Sequence, residues 1–454
     1  MTDATEKTEL FERLPIPKAV AKLAVPTVVS SLVMVLYSLA DTFFVGMLND
    51  PLETGAVTLA SPVLLAFNAV NNLFGVGCAS LISRSLGKKD LRCARETGAF
   101  GFYAAIGSGA LFSLLCTLCK APLLSVLGAG STSHEQTAAY LFWTVTLGAV
   151  PSILNVVTAQ LVKAEGLALH ASIGAMSGCL LNIVLDPLFI LPRFFGMGAA
   201  GAGCATFISN CVACLYFLAM MAVKRDSIVL NIKPSNLRLR RKNIRDICSV
   251  GIPASIQNLL NVTGMTVLNY FMGSYGAEAV SAIGISHKIA MLPMYVSMGM
   301  SQGVMPLVGY NFAAGNRKRM KEAVVFTGKA AGVIMIAGTA FFCLFPERVI
   351  ALFMENSLVV EYGAAFLRAQ SLAQPFLAMD FLGVGVFQAC GMGNKSLLFA
   401  VLRKIVLEIP ALFVLGKLYP MYGLAWAQLF AEVILAAAAV LELGKILNHD
   451  DCHE

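Results

Sequence analysis

The sequence is dominated by long apolar stretches that recur from one end to the other, and these limit the possible folds more than any other feature. An α-helix needs about 20 such residues to cross the roughly 30 Å hydrocarbon core of a bilayer. Overall, 57% of the residues are hydrophobic and 13% are charged, and strand-like alternation is absent. We therefore predict an all-α polytopic membrane protein with twelve transmembrane helices. The predicted spans lie near residues 20–47, 55–83, 97–119, 137–162, 168–192, 198–223, 248–272, 279–311, 322–345, 362–390, 396–418 and 421–447.

The distribution of basic residues predicts the orientation of these spans. Lysine and arginine cluster after even-numbered spans, around 84–95, 224–245 and 317–321, whereas acidic residues prevail in the opposite loops. By the positive-inside rule, both termini are expected in the cytoplasm. This assigns residues 1–17 to a cytoplasmic N-terminal segment without a signal-peptide pattern, and 448–454 to a cytoplasmic tail. The net charge of +7 is explained by these loops and requires no nucleic-acid partner.

The two halves of the chain resemble each other. We predict a six-helix bundle at 18–223, a basic cytoplasmic linker at 224–247 and a second six-helix bundle at 248–447. Pro26 in the first span matches Pro253 in the seventh. Six spans per half preserve orientation, so the repeat is parallel, with a pseudo-twofold axis along the membrane normal. Such an architecture suits alternating access around a cavity between the bundles, although a duplicated bundle without transport activity is an alternative.

A single carboxylate interrupts the first apolar stretch. Asp41 lies within the segment Val25–Gly46, about 28 Å along the helix from Lys22 at 1.5 Å per residue. A charged residue at mid-membrane costs about 2.5–3.5 kcal/mol on insertion scales, so it usually faces a cavity or a bundle interior. The alternative is that Asp41 lies close enough to the helix end to be solvated by lipid headgroups.

Other polar side chains are predicted at the same depth of the first bundle. Asp186 is about 24 Å along the fifth helix from His170, and Asn182 lies one turn before it on the same face. Thr206 is one to two turns into the returning sixth helix. We predict a site built from Asp41, Asp186, Asn182 and Thr206, with a purely structural hydrogen-bond network as the alternative.

The chemistry of such a site follows from the cost of buried charge. Two neighbouring carboxylates in a low-dielectric site titrate as a coupled pair and can hold a proton near neutral pH. The same oxygens, with those of the amide and the hydroxyl, suit Na⁺, so a Na⁺ site at these four residues is the other option. Either cation could compete with a cationic substrate or change the shape of the first helix. Pro26 leaves backbone groups of this helix without hydrogen bonds, so a bend at this position could switch the helix between two shapes.

The second half lacks this acidic cluster and offers a different set of polar residues. Lys288 and Asp380 could form an ion pair that lines the cavity or one that is only structural. Arg403, Lys404 and Glu408 are predicted to belong to a snorkelling cytoplasmic helix end. Candidate polar residues of this half are Gln257, Asn258, Asn261, His287, Lys288, Gln374, Asp380 and Glu408.

From about Pro15 to Leu447, the pattern resembles the multidrug and toxic compound extrusion (MATE) transporters, nearer their DinF-like branch. The residues that carry the resemblance are Pro26, the segment Tyr37–Gly46, LNIVLDPLFI at 181–190, GMGAAGAGCAT at 196–206 and the central basic loop. The resemblance implies a monomeric, multi-pass inner-membrane antiporter, not an enzyme and without a cofactor. Its expected activity is to expel drugs and other organic, often cationic compounds in exchange for H⁺ or Na⁺.

The resemblance also assigns roles to residues. The family's amino-terminal acidic site falls on Asp41, Asn182, Asp186 and Thr206, with Tyr37 adjacent. Independently of the resemblance, five of the polar residues of the second half are predicted to line a cavity: Gln257, Asn261, His287, Lys288 and Asp380. Asn261 stands near the position of an acidic residue in the other bacterial branch, which argues against a cation site there.

Three other functions were weighed. A flippase for a lipid-linked precursor has a similar helix count but calls for arginines that line the cavity, whereas this chain places its arginines mainly in loops. A membrane scaffold or receptor would not depend on Asp41. An ATP-driven pump is disfavoured because no GxxxxGK[ST] loop is present.

Overall fold

The computed structural model describes residues 9–48, 50–127, 133–225, 228–237, 240–354 and 356–448. Within these ranges every regular element is helical. Residues 1–8 of the predicted N-terminal segment and residues 449–454 of the predicted tail lie outside the described part.

Twelve helical segments coincide with the predicted spans over the described residues. Three of them, α2, α4 and α11, contain π-helical turns. We number them α1 (Ile16–Gly46), α2 (Pro51–Asn71, Asn72–Val76 and Gly77–Gly87), α3 (Leu91–Leu118), α4 (His134–Leu141, Phe142–Leu147 and Ala149–Ala164), α5 (Ala168–Ile190), α6 (Gly198–Val223), α7 (Arg241–Gly273), α8 (Ala277–Ala313), α9 (Arg317–Leu344), α10 (Ser357–Ala389), α11 (Gly393–Val401, Leu402–Glu408 and Ile409–Leu418) and α12 (Tyr422–Asn448).

By length and composition, nine helices of the described chain could each cross a membrane, and the two parts of α4, bent by 50°, would make a tenth. The remaining two, α7 and α11, carry more charged and polar residues, which lowers their hydropathy. The predicted all-α polytopic fold is confirmed. We treat the chain as a multi-pass membrane protein.

The ends of the helices are set by the same local chemistry in both halves. Lys89, with φ of 59°, precedes Asp90, whose carboxylate accepts from the N–H of Cys93 at the start of α3. Gly315, with φ of 76°, precedes Asn316, whose amide oxygen caps α9 in the same way. A left-handed residue stops one helix and an Asp or Asn side chain satisfies the free N–H groups of the next. The internal repeat is therefore visible in the backbone as well as in the sequence.

The chain divides into two compact units. Unit 1 comprises residues up to Arg13 and Val29–Ser255, and unit 2 comprises Leu14–Val28 and the chain from Ile256 onward. Helices α1 and α7 therefore each contribute to both units. In α1 the change of unit comes two residues after Pro26, and in α7 it comes two residues after Pro253.

In unit 1, glycines allow the first part of α7 to lie directly against α2. A Cβ on Gly77 would lie 2.6 Å from the carbonyl oxygen of Ile247, and one on Gly251 would overlap the carbonyl of Leu73. Close backbone approach of this kind is common where membrane helices pack through small residues.

In unit 2, the first part of α1 lies against α8 in the same manner. A Cβ on Gly299 would lie 2.8 Å from Cα of Val28, and one on Gly303 would lie 2.6 Å from Cα of Ala24. Helix α10 is the core of this unit, because 72% of its most apolar stretch is buried. The repeat thus also preserves the close packing of the first parts of α1 and α7, against α8 and α2 respectively.

We expect Gly251→Ala to destabilise the protein by about 1–3 kcal/mol, because overpacking forces a backbone shift between α7 and α2. Gly338→Ala in α9 is the matched control, since a Cβ there meets nothing within 4 Å. Thermal unfolding of the two purified variants in detergent would compare them. Equal melting temperatures would contradict the close approach at Gly251.

Candidate functional site

One acidic side chain of the site comes from the part of α1 that belongs to unit 1. Asp41 and Tyr37 are one turn apart on one face of α1, and both are half-buried. The Tyr37 hydroxyl interacts with the carboxylate of Asp41 and is hydrogen-bonded to the hydroxyl of Thr206 in α6. The predicted adjacency of Tyr37 to the acidic site is therefore present in the geometry of unit 1.

The second acidic side chain is more deeply placed. Asp186 is completely buried and Asn182 is 2% exposed, and both lie on α5, a helix predicted to span the membrane. The Asn182 amide lies 3.2 Å from Oγ1 of Thr206. With the amide nitrogen turned to the carboxylate, it donates to Oδ2 of Asp186 at 2.7 Å and to Oδ1 at 3.1 Å, while the amide oxygen accepts from the Thr206 N–H at 3.1 Å. This orientation satisfies both ends of the amide.

The two carboxylates lie close enough to interact electrostatically. This interaction is repulsive, and it is only partly screened because Asp186 is completely buried and Asp41 is half-buried. The side chains grouped with them among the described residues, Asn182, Thr206 and Tyr37, are neutral. The site therefore combines two acidic groups with hydrogen-bonding groups that carry no compensating charge.

Thr206 is held in place by the way α6 begins. Oε2 of Glu53, near the start of α2, accepts from the N–H of Ala199 at 2.6 Å. Gly198, with φ of 58°, lets the backbone turn into the helix at this point. A carboxylate at a helix N-terminus satisfies a free N–H and interacts favourably with the helix dipole. Thr206 lies about two turns further along and faces α5.

Tyr140 was missed in the sequence analysis. It lies on α4, is 5% exposed, and its hydroxyl lies within electrostatic range of both Asp41 and Asp186. A tyrosine inside a predicted span needs a partner for its hydroxyl. That rule could have identified it, whereas no local pattern showed which residues α4 faces.

Pro26, predicted as a bending element, lies inside α1, and the helix continues through it from Ile16 to Gly46. The hydroxyl of the neighbouring Thr27 donates to the carbonyl of Leu23 at 2.9 Å. The residue therefore sits in an unbroken helix, just before the point at which α1 changes unit.

The polar residues predicted to line a cavity in the second half do not form one group. Gln257 pairs with Gln388 through their amides at 3.2 Å, and Asn261 is half-buried on α7. Lys288 is exposed, whereas Asp380 is 1% exposed and faces Arg403 instead, with 3.6 Å between its Oδ2 and Nη1 of Arg403.

The prediction of a snorkelling helix end at Arg403, Lys404 and Glu408 is wrong. These side chains are buried, with residue exposures of 4%, 8% and 7%. The half-buried imidazole of His287 interacts with Lys404 and Glu408. The charges of unit 2 are thus turned into the bundle.

Comparison with known proteins agrees with this architecture. The sequence model of the MatE family matches residues 26–188 and again 253–414. The chain is 31% identical over 437 residues to the multidrug export protein MepA of Staphylococcus aureus (strain MRSA252), covering 96% of this chain and 95% of that protein.

Solved structures are also similar. One shows the outward-facing conformation of a multidrug resistance MATE family transporter of the MOP superfamily, with a TM-score of 0.91, 26% identity and coverage of 97% of this chain and 98% of that one. Another is a MOP superfamily transporter from Pyrococcus furiosus, described by a reversed polarity of its binding pocket that suggests a different function, with a TM-score of 0.90, 25% identity and 99% coverage of both chains. Because the family model matches both halves in succession and a relative more than 30% identical aligns with nearly the whole chain, the protein belongs to the MatE family of multidrug and toxic compound extrusion transporters.

Proposed function

We propose that the protein is a cation-coupled multidrug efflux antiporter that exports organic, often cationic compounds in exchange for H⁺ or Na⁺. The observation that carries this proposal is the pair of interacting carboxylates in unit 1, half-buried Asp41 and completely buried Asp186, which the described part of the chain surrounds with neutral polar side chains. The multidrug export activity named for its staphylococcal relatives supports the type of cargo. The family consists of transporters, so we assign no enzymatic activity.

Exchange follows from the charge balance of this site. Two carboxylates repel each other until a positive charge joins them, and a proton, a Na⁺ ion or a cationic group of the cargo can each provide it. If only one positive charge is bound favourably at a time, then the coupling ion and the cargo compete. Competition at a site that faces one side of the membrane at a time is the basis of antiport.

Na⁺ would be held by oxygen atoms of Asp41, Asp186 and Thr206, with Asn182 contributing its amide oxygen. A proton would instead reside on one carboxyl group and donate to a neighbouring oxygen. Both options fit the residues of the site. Efflux measured under separately imposed pH and Na⁺ gradients distinguishes coupling to H⁺ from coupling to Na⁺.

Pro26 is the position at which a change of charge in the site would alter the shape of α1. A proline removes one backbone hydrogen bond and weakens the helix locally. Asp41 lies beyond it on the same helix, in the part of α1 that belongs to unit 1. A change of charge at Asp41 would therefore shift the preferred shape of α1 at Pro26.

We place the protein in the cytoplasmic membrane as a monomer with both termini in the cytoplasm, from the loop charges and the family. We also assign it to the DinF-like branch, on the residues around Asp41 and Asp186. The second candidate function remains a flippase for a lipid-linked precursor. It is less favoured because Arg403, a buried arginine, already faces two carboxylates.

We expect Asp41→Asn to abolish cation-driven efflux while the protein still folds. Loss of one charge-assisted interaction is worth about 1.5–3 kcal/mol, so binding of a cationic cargo should weaken about tenfold or more. Proteoliposomes under a pH or Na⁺ gradient would measure exchange. Asp50→Asn is the control, since it removes the same charge from an exposed helix cap that asparagine also satisfies. Undiminished exchange in Asp41→Asn would refute the role of this residue, and lipid flipping without drug transport would favour the flippase.

We expect Thr206→Val to weaken binding of the coupling cation about fivefold, because one net hydrogen bond is worth about 1 kcal/mol. The change removes the hydroxyl that contacts Asn182 and Tyr37 but keeps the shape of the side chain. Thr266→Val is the matched control, since the Thr266 hydroxyl is exposed and donates only to the carbonyl of Val262 one turn earlier. Cation-dependent thermal stabilisation of both variants would measure the effect. The same response in the two variants would show that Thr206 takes no part in the site.

A further inference from the structure

Unit 2 contains a cluster of charged side chains in its interior that the proposed function does not use. Arg403 on α11 lies between Asp380 on α10 and Glu432 on α12. Its Nε is 2.7 Å from Oε1 of Glu432, and its Nη1 is 3.6 Å from Oδ2 of Asp380. Its guanidinium also lies over the ring of Phe381, 5.3 Å from the centroid. Glu432 is completely buried, and Asp380 and Arg403 are 1% and 4% exposed.

A second ion pair adjoins this group. Nζ of Lys404 lies 2.7 Å from Oε1 and 2.6 Å from Oε2 of Glu408, one turn further along α11. The pair rests against the backbone of α7 at Gly264, where a Cβ would lie 2.9 Å from Cδ of Lys404. We define the charged cluster as Asp380, Arg403, Lys404, Glu408 and Glu432.

The π-helical segment Leu402–Glu408 presents these residues to the bundle. Arg403 is directed towards α10 and α12, whereas its neighbour Lys404 is directed towards α7. A π-helical turn widens the helix and is frequently found at functional sites. Here it turns two consecutive cations inward.

The cluster does not balance its charge. With every member ionised, three carboxylates face two cations, which leaves one negative charge in excess. Two of the carboxylates also have oxygens without a hydrogen-bond partner among the described residues, namely Oδ1 of Asp380 and both Oε1 and Oε2 of Glu432, so their contacts with Arg403 are ion pairs without good hydrogen-bond geometry. A buried, uncompensated charge costs several kcal/mol, so a compensating positive charge is required.

We propose that Asp380 and Glu432 share one exchangeable proton beside Arg403, which makes the charged cluster a proton-binding site separate from the acidic site of unit 1. The proton converts one carboxylate into a neutral acid and leaves the other as the partner of Arg403. The O–H also gives an unpartnered oxygen a hydrogen-bonding role. The charges then balance, with two cations and two carboxylates.

His287, a further titratable neighbour of the cluster within the described chain, does not supply this charge. His287 on α8 faces both Lys404 and Glu408. An imidazolium beside the Lys404 ammonium would be repelled by it, while Glu408 is already paired with Lys404. The side chains of Asp380 and Glu432, in contrast, have Arg403 as their common partner and are the pair left in excess.

Infrared difference spectroscopy between low and high pH tests this proposal. The full-length protein carries Asp41→Asn and Asp186→Asn as a background, so that the two acids of the proposed coupling site contribute nothing. We expect this background to show, beside the signal of the exposed carboxyl groups, one carboxylic-acid band at low pH that depends on Asp380 and Glu432 and is lost on raising the pH. The band should vanish in D380N and in E432Q, because the remaining carboxylate pairs with Arg403 and stays ionised. It should about double in R403Q, because both acids then need protons.

H287Q is the matched control and should keep the band of the background unchanged. Absence of the band in the background, or its survival in either D380N or E432Q, would overturn the proposal. Loss of the band on adding Na⁺ at constant pH would assign the site to a metal cation and would also overturn it. Because Asp41 and Asp186 are neutralised throughout, the result stands apart from whether unit 1 couples transport. If a single variant fails to fold, the background band and its change in the other acid variant still decide.

Discussion

The cost of an unpaired charge in an apolar interior is the constraint on which this structure depends. Each unit buries carboxylates and compensates them differently. In unit 1, the side chains grouped with Asp41 and Asp186 among the described residues, Asn182, Thr206 and Tyr37, are neutral, so in the proposed function the compensating charge comes from outside the protein. In unit 2, Arg403 and Lys404 provide positive charges that are covalently attached and cannot leave. In the two proposals, unit 1 therefore relies on an incoming cation for all of its compensation, whereas unit 2 relies on a proton only for the one carboxylate in excess.

The repeat explains how two related bundles can compensate their buried carboxylates in different ways. The two halves share the same backbone features. The side chains of Asp90 and Asn316 each accept from a free N–H group at the start of the following helix, and Pro26 and Pro253 lie at matching positions. Such features determine where helices end and how closely they pack, which both halves need equally. The side chains directed into the bundles are not constrained in this way. The chemistry of the halves could therefore diverge while the fold stayed the same.

Much of this could be predicted from the sequence because the signals are local. Hydropathy located the twelve spans, and counting residues along α1 and α5 placed Asp41 and Asp186 at a common depth. The charged cluster was missed because Arg403 and Lys404 were assigned to a helix end. They lie about 15 Å along α11 from Gly393, and a π-helical turn directs them inward. Tyr140 was missed because its partners come from other helices, and contacts between helices are not encoded in a local pattern.

The division of α1 between the units shows why a bending element is needed where Pro26 stands. A helix that packs closely in unit 2 at Ala24 and Val28, and that carries Asp41 in unit 1, connects both units as one rigid rod unless it is weakened between them. A proline weakens it at one place, since it removes a single hydrogen bond and leaves the remaining turns intact. The same argument holds for α7, where Gly251 is seated in unit 1 and Pro253 precedes the change of unit. Compliance at these two points would let each unit keep its internal packing while the charge on Asp41 biases the shape of the helix that joins them.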